Sequence, residues 1–447
     1  MVIHVFTIFI FFASLFNITI SENYAYVSVL SSNSFLLPAQ VLAHRLKKLN
    51  SKIPYIIIVT EDINEESRNT LIKQGIEIRN DTKIDTPYIK THRARKYQYT
   101  KIKLWSMLEF DAIVHLDLDV LPVKDISTLF LCGTFCAVFR HSDMFNSGVF
   151  VLKPNETVFR DMVHKVQGLY SYDGGDQGFL NSYFVDLKLS PMFDPNHKRP
   201  MCYNFSMKTL SSAYNYDIGM YYLNNGRLLI EPTIIHYTLG MMKPWVWWTY
   251  PLFDLNWIWY EARKEMEKEN SIGDESVKLA IRHVIYITIL IIVKATLEFL
   301  LSKRYVSKSI GSKELTTMAH LIYLGAVVFC IQSMPTTVPP VEAWIYFSCN
   351  TAWTTSIVAA IYIRARSNIE ASIFPCVGCI MLIIVGHASF WMLLVGITHF
   401  QTRCIVCGVL FFLHHMLISA FIKKQIFDKT LYQNVVYHPV PIYHHRA

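Results

Sequence analysis

Two aspartates one residue apart close an apolar run at Ile113-Val-His-Leu-Asp-Leu-Asp119. At the carboxyl end of a strand in an α/β sheet, such residues face the ligand crevice. Strand alternation points Asp117 and Asp119 to the same side. Two hard anionic ligands on one side suit Mg²⁺ or Mn²⁺ bound with a diphosphate. Alone, a D-x-D is weak, because a solvated strand end has the same spelling. Three further segments add to it. Phe145-Asn-Ser-Gly-Val-Phe-Val-Leu-Lys-Pro154 is a polar turn followed by a buried strand. Tyr172-Asp-Gly-Gly-Asp-Gln-Gly-Phe-Leu-Asn181 has two glycines that allow close backbone approach, with Asp176 and Gln177 opening a helix. Ile234-Ile-His-Tyr-Thr-Leu-Gly-Met-Met-Lys-Pro-Trp245 brings a histidine, a glycine and a lysine onto a strand and loop. Dinucleotide and P-loop readings have no support, since the chain contains neither G-x-G-x-x-G nor a Walker A sequence. H-E-x-x-H and G-x-S-x-G are also missing from the sequence.

The elements that must position these groups are short. VSVL at 27–30, YIIIVT at 55–60, IVHL at 113–116 and SGVFVL at 147–152 are strand-length and rich in β-branched residues. Helical patterns lie between them, at Pro38–Leu49 and Thr100–Glu109. Strand alternating with helix predicts an α/β sheet with crossover helices over residues 22–275.

The rest of the chain is of another kind. Of 447 residues, 52% are hydrophobic and 17% charged, and the mean hydropathy is +0.27. These values exclude a disordered or collagenous chain and a small disulfide framework. Residues 1–20 form an apolar run that reads as a secretory signal peptide or a signal anchor. Five apolar stretches follow the soluble region, near 281–301, 315–335, 341–363, 373–397 and 404–422. Each is long enough to cross a bilayer, which takes about 20 residues. Lys294 and Glu298, one turn apart in the first stretch, can pair on one helix face.

Lys303, Arg304, Lys308 and Lys313 lie in one loop, Arg364 and Arg366 in another, and Lys423, Lys424, Lys429 and Arg446 in the tail. The loops between hold only Arg403. Positive-inside bias therefore predicts a cytoplasmic tail with residues 22–275 on the other side. Net of their acidic residues, the cytoplasmic pieces account for most of the +8 formal charge. Nucleic-acid binding thereby loses its electrostatic motive, and a basic rim on an anionic leaflet explains the charge.

Other residues bear on compartment. Sequons stand at Asn80, Asn155 and Asn204. Cys132 and Cys136 can be oxidised in a lumen, leaving Cys202 unpaired. Cys376/Cys379 and Cys404/Cys407 are C-x-x-C pairs in or beside predicted spans, which reads as packing rather than metal binding. Residues 245–260 hold five of the nine tryptophans. That density fits either a membrane interface or a hydrophobic flank of the soluble domain.

In their order and spacing, Asp117/Asp119, Asn146–Gly148, Asp173–Gly178 and His236–Trp245 resemble glycosyltransferase family 8, the glycogenin-like enzymes. The resemblance covers about residues 24–250. Leu118 departs from it, standing where the family usually has alanine beside the nucleotide. Within the family, Ala25–Leu30, Phe35-Leu-Leu, Cys132-x-x-x-Cys136, Ser182-Tyr-Phe and Lys243-Pro-Trp-x-Trp-Trp248 are similar to the plant-type inositol phosphorylceramide glucuronosyltransferase branch, which also carries a C-terminal multi-span region.

The resemblance implies a GT-A fold, a Rossmann-like sheet that binds a nucleotide-sugar, here followed by an all-α membrane domain of about five helices. It divides the chain into a signal peptide or anchor (1–21), a GT-A domain (22–250), an interfacial linker (251–280), the multi-span domain (281–422) and a cytoplasmic tail (423–447). It implies Mn²⁺, or Mg²⁺, on Asp117, Asp119 and His236. His236 by itself would read as a core histidine. Lys243 and the Gly240 backbone would meet the diphosphate, Lys101 the donor, and Leu30, Ser31, Phe35 and Leu118 the nucleotide. For Lys101 and Leu30, a solvated helix lysine and core packing are the bland readings. Asn146, Ser147, Asp173, Asp176 and Gln177 would hold the transferred sugar, with Asp176 and Gln177 as the catalytic pair. The implied reaction is retaining transfer of a hexose or hexuronic acid, glucuronate above all, from a UDP-sugar to a lipid such as inositol phosphorylceramide at a Golgi or endoplasmic reticulum membrane. Arg93, Arg95 and Arg140 are candidates for a glucuronate clamp. Rival readings are a self-glucosylating primer, a catalytically dead sugar-binding scaffold, and a transporter drawing on Lys294, Glu298, His387, His414 and His415.

Overall fold

A computed structural model describes residues 22–88, 98–139, 142–196, 206–240, 242–270, 275–302, 311–335, 338–366 and 377–437. The expected signal segment 1–21, Arg93, Arg95, Arg140, Cys202, Asn204, Lys303, Arg304, Lys308, Cys376 and Arg446 lie outside them. The chain divides into two compact units. One takes the residues up to Asp217 together with Ile230–His236, and the other takes Ile218–Leu229 and the chain from Tyr237 onward.

The first unit runs β1 (Tyr24–Leu30), α1 (Leu36–Leu49), β2 (Tyr55–Val59), α2 (Glu65–Lys73), β3 (Glu77–Asn80), β4 (Ala112–Leu116), β5 (Val120–Pro122), β6 (Phe135–Phe139), β7 (Phe145–Leu152), α3 (Glu156–Lys165), α4 (Asp176–Tyr183), β8 (Met207–Leu210), β9 (Tyr216–Asp217) and, after an excursion, β10 (Ile234–His236). Seven strands form one sheet in the order β3-β2-β1-β4-β7-β6-β8. The first four are mutually parallel, and β7 runs antiparallel to β4 and to β6. Alternation fills both faces. Tyr26, Ile57, Val114 and Val151 enter one apolar layer, and Val27, Ile56, Ile113 and Phe150 the other. The chain leaves β1 toward β2 and β3, then returns to β4 on the other side of β1. The switch point is therefore at the carboxyl ends of β1 and β4, where an open α/β sheet forms its ligand crevice. The expected α/β sheet, followed by a helical region, is borne out.

One local expectation changes form. The helix read over Thr100–Glu109 is a 3₁₀ helix over Gln98–Ser106. Three residues per turn stack Tyr99, Ile102 and Trp105 on one ridge. All three are buried, and Trp105 lies against Phe135, Phe150 and Phe184. Lys101, one ridge over, is thereby carried inward and is 7% exposed. Cys132 and Cys136 are joined by a disulfide. Asn80 and Asn155 are exposed.

The second unit contains α5 (Ile218–Leu223), α6 (Leu255–Glu269) and five long helices: α7 (Glu275–Ser302), α8 (Ser312–Ser333), α9 (Pro340–Arg366), α10 (Val377–Val395) and α11 (Phe400–Tyr437). Among the described residues, four helices are long and apolar enough to cross a membrane: α7, α8, α10 and α11. The fifth, α9, has the length but carries Ser348, Asn350, Thr351, Thr354, Thr355 and Ser356, all buried. It packs against each of the other four, so its polar groups face protein rather than lipid. Lys294 and Glu298 pair at 2.7 Å. Cys379 is buried in the core of these helices, and Cys404 and Cys407 are free thiols.

The tryptophan-rich segment is built into this unit. Trp245, Trp247 and Trp259 are buried, Trp247 packs on Trp344 and Phe347, and Tyr250 stacks on Trp391. Arg403 is not a loop charge but a buried fastener, only 1% exposed. Its guanidinium donates to the carbonyls of Leu252 (2.7 Å) and Ile397 (2.6 and 2.9 Å), with Asp254 at 3.6 Å. Arg403→Ala strands these carbonyls, and each buried polar group left unpaired costs about 1–3 kcal/mol. The expected result is a clear drop in the thermal midpoint of the purified protein. An unchanged midpoint would show that water replaces the guanidinium without loss.

Candidate active site

The carboxyl end of β4 supplies the first carboxylate. The Asp117 N–H donates to the Gly148 carbonyl at 2.8 Å, which extends the β4–β7 ladder one residue past the strand. The chain then turns at Leu118, which is buried in the apolar layer with Leu30. It returns as β5, which pairs antiparallel with β10 so that Val120 faces His236. That register brings Asp119, the residue before Val120, to the imidazole, with Nε2 to Oδ1 at 3.2 Å. One ligand atom from each of Asp117, Asp119 and His236 lies within 4.8 Å of the others.

The donor set fits a divalent cation. The His236 Nδ1–H donates to Asn215 Oδ1 at 2.8 Å, and Asn215 Nδ2 donates to Asn146 Oδ1 at 2.8 Å. The latter oxygen also accepts the Gly148 N–H at 3.0 Å. This chain of amides leaves Nε2 as the bare nitrogen, and it faces a carboxylate oxygen. With the ring neutral both atoms are acceptors, and a cation between them would satisfy both. Two carboxylates and an imidazole are a donor set suited to a divalent cation.

A second layer of charge lies behind the ligands. Lys101 Nζ is 2.8 Å from Asp117 Oδ1, 2.7 Å from Asp176 Oδ2 and 3.4 Å from the Ser147 carbonyl. Burial alone would lower the Lys101 pKa, but the two carboxylates override it and hold the ammonium above its ordinary value. Burial likewise pushes the Asp117 carboxyl up, and the Lys101 ammonium reverses that, leaving it well below the usual carboxylate range. Beneath Asp117, on the same face of β4, His115 is fully buried. Its Nδ1 is 3.0 Å from the Val27 carbonyl and its Nε2 3.2 Å from Asp117 Oδ1. Burial holds the His115 pKa below its usual value.

The remaining residues form a connected wall. Gln177 Oε1 accepts from Asn146 Nδ2 at 2.7 Å and from the Ser147 N–H at 3.4 Å, and Gln177 Nε2 donates to the Tyr172 hydroxyl. Asp173 braces its own loop. Its Oδ1 accepts from the Gly175 and Gly178 N–H groups and from the Ser171 hydroxyl. A Cβ at Gly178 would lie 2.5 Å from that oxygen, so only glycine leaves it room. Gly148 is equally constrained, because a Cβ there would lie 2.3 Å from His236 Cε1.

The structure thus gathers Lys101, Asp117, Asp119, Asn146, Ser147, Asp176, Gln177 and His236 into one connected network. Leu30 and Leu118 have their side chains in the core, Phe35 packs on that core half-buried, and Ser31 follows β1 at the switch point. Gly240 and Lys243 belong to the second unit, where Lys243 Nζ donates to the Tyr237 carbonyl at 2.5 Å and stands 6.0 Å over the Trp245 ring. Sequence reasoning missed His115 and Asn215. Strand parity would have placed His115 on Asp117's side, whereas Asn215 sits in no motif.

Among curated proteins, the chain is 37% identical over 257 residues to inositol phosphorylceramide glucuronosyltransferase 1 of Arabidopsis thaliana, covering 56% of this chain and 47% of that one. It is 30% identical over 330 residues to the putative glucuronosyltransferase PGSIP8 of the same plant, covering 69% and 64%. The chain therefore spans about half to two thirds of the length of these relatives. Among solved structures, it is similar to the galactosyltransferase LgtC bound to donor and acceptor sugar analogues, with a TM-score of 0.40 and 15% identity over 54% of this chain and 95% of that one. No family model matches the chain. The curated relatives are plant glucuronosyltransferases of glycosyltransferase family 8, so the resemblance read from the motifs is borne out.

Two substitutions test the cation site without touching a ligand. Asn215→Ala frees the His236 ring, and loss of such an outer partner lowers metal affinity by about 10- to 100-fold. Gly148→Ala drives a methyl into the ring and should abolish binding. Mn²⁺ titration followed by electron paramagnetic resonance reads both. Wild-type affinity in Gly148→Ala would remove His236 from the ligand set.

Proposed function

We propose that the chain is a membrane-bound retaining glycosyltransferase. It transfers a hexuronic acid or hexose, glucuronate first, from a UDP-sugar to a lipid acceptor such as inositol phosphorylceramide. The observation that carries this reading is the convergence of Asp117, Asp119 and His236 at the carboxyl end of β4, with Lys101 linking them to Asp176. A divalent cation held by the three ligands supplies the charge that a diphosphate leaving group needs. Lys101 fixes the Asp176 carboxylate beside the ligands. Asn146 and Gln177, already bonded to each other, present amide groups suited to sugar hydroxyls. Asp176 offers an oxygen to the positive charge that develops at the anomeric carbon. Lys243 and Gly240 are assigned to the diphosphate, and Ser31 and Phe35 to the uridine.

Glucuronate as the donor sugar is supported by the names of the plant relatives. A lipid acceptor is supported by the name of the first of these and by four apolar helices, since tethering to a bilayer concentrates a lipid acceptor and does nothing comparable for a soluble one. A lumenal catalytic domain over residues 22–250, with a cytoplasmic tail, in a Golgi or endoplasmic reticulum membrane, is supported by the Cys132–Cys136 disulfide and by the exposed sequons at Asn80 and Asn155.

The test incubates microsomes containing the protein with labelled UDP-glucuronate or UDP-glucose and analyses the lipid fraction. Mn²⁺-dependent label in lipid from UDP-glucuronate is expected. Asp119→Ala should reduce it to background while the protein remains membrane-inserted. Full transfer by that variant would refute the metal assignment. Label on the protein itself, with none in lipid, would refute the acceptor.

A further inference from the structure

Residues 218–229 of the second unit form an excursion that ends in an exposed apolar turn. Helix α5 stops there because Asn225 and Gly226 take positive φ, 55° and 77°, a conformation that asparagine and glycine adopt at least cost. The Gly226 N–H donates to the Tyr221 carbonyl at 2.9 Å and the Asn225 N–H to the Tyr222 carbonyl at 3.1 Å, so the chain reverses. One side of the turn is tied down. Tyr222 packs on Phe253 and Phe400, and the Tyr221 hydroxyl donates to Asp254 Oδ2 at 2.8 Å. The other side carries Leu223, Leu228 and Leu229, and Leu223 is 79% and Leu229 70% exposed. Arg227, in the same turn, is also exposed. Single exposed leucines need no explanation, but three on one anchored turn mark a contact surface.

The attachment of the turn indicates what covers it. Asn225 Oδ1 accepts the Gln401 N–H at 3.0 Å. That N–H lies in the first turn of α11, among the donors that a helix start leaves unpaired. A Cβ at Gly226 would lie 3.7 Å from the Thr398 carbonyl, so the turn also rests against the chain just ahead of α11. Helix α11 is long and apolar enough to cross a membrane, and it exposes Ile405, Val409 and Phe412. At 1.5 Å per residue, Ile405 lies only about 6 Å along the axis from Gln401. The leucines are therefore held at the level where a bilayer around α11 changes from head groups to acyl chains. Interfacial segments bury their apolar face about 5–10 Å into that boundary and keep basic side chains at the phosphates.

We propose that the turn at 223–229 inserts into the leaflet that α11 enters, with Leu223, Leu228 and Leu229 among the acyl chains and Arg227 at a lipid phosphate. The contact goes beyond the transfer reaction and requires only that α11 crosses the bilayer.

The test places the full chain in phosphatidylcholine nanodiscs containing one of two photoactivatable phosphatidylcholines. One carries a diazirine near the acyl carbonyl, the other at the chain terminus. After irradiation, the shallow probe should label residues 223–229 and the N-terminal turns of α11, and the terminal probe should label the middle of α11 and leave the turn near background. Leu228→Glu combined with Leu229→Glu sets charge against the acyl chains. Label on 223–229 should then fall to background, while the label on α11 and the thermal midpoint are retained because both side chains are exposed. Full labelling of that double variant, or equal labelling of the turn by both probes, would overturn the proposal. An unlabelled turn beside a labelled α11 would overturn it as well and assign the surface to a protein partner. An unlabelled α11 would sink the membrane-bound reading together with the contact. Sugar transfer to lipid in the same nanodiscs with the turn unlabelled would leave the proposed function standing and remove the contact alone.

Discussion

Two carboxylates from distant parts of the chain share one buried ammonium, and the site is organised around that constraint. Asp117 follows β4 directly and Asp176 opens α4, and both reach Lys101 within 2.8 Å. Bringing charged groups into a protein interior carries a large desolvation cost, which only close pairing offsets. Removing the lysine would leave the two carboxylates without the charge that pairs them. The ammonium therefore ties the loop of Asp117 and Asp119 to the helix that carries Asp176 and Gln177. The 3₁₀ geometry of Gln98–Ser106 makes this possible, because it turns Lys101 inward while Tyr99, Ile102 and Trp105 anchor the segment in the apolar layer.

Much of this could be read in the sequence, and the reasons differ from residue to residue. Asp117 and Asp119 were legible because a strand followed by D-x-D is a local pattern. His236 was legible through the spacing of its own segment. What brings it to Asp119 is the β5–β10 register, a pairing of residues more than a hundred positions apart that no local pattern encodes. Asn215 was invisible for the same reason, since it acts only through the ring it touches. Asp173 shows the converse. Its motif suggests a ligand for sugar, yet three donors from its own loop converge on one of its oxygens. A motif records that a residue type is needed at a position without distinguishing contact with substrate from folding of the loop that makes the contact.

The membrane region shows the limit of counting charges and apolar residues. Arg403 was tallied as a loop charge, but its guanidinium is consumed by backbone carbonyls and lies over the Trp257 ring. A cation committed in this way does not interact with a lipid surface and adds little to positive-inside bias. Helix α9 errs in the other direction. Its polar residues lower its hydropathy below that of the four apolar helices, because it is solvated by those helices instead of lipid.

The same distinction governs the cation ligands. His236 Nε2 and the Asp119 carboxylate face each other across 3.2 Å, and a cation between them would be held by both. Asn215 holds Nδ1, and the Cε1 edge lies where a side chain at Gly148 would stand. The fold therefore maintains two converged acceptors by means of packing and hydrogen bonds that are independent of the ion. A site held ready in this way would bind a divalent cation without first reorganising.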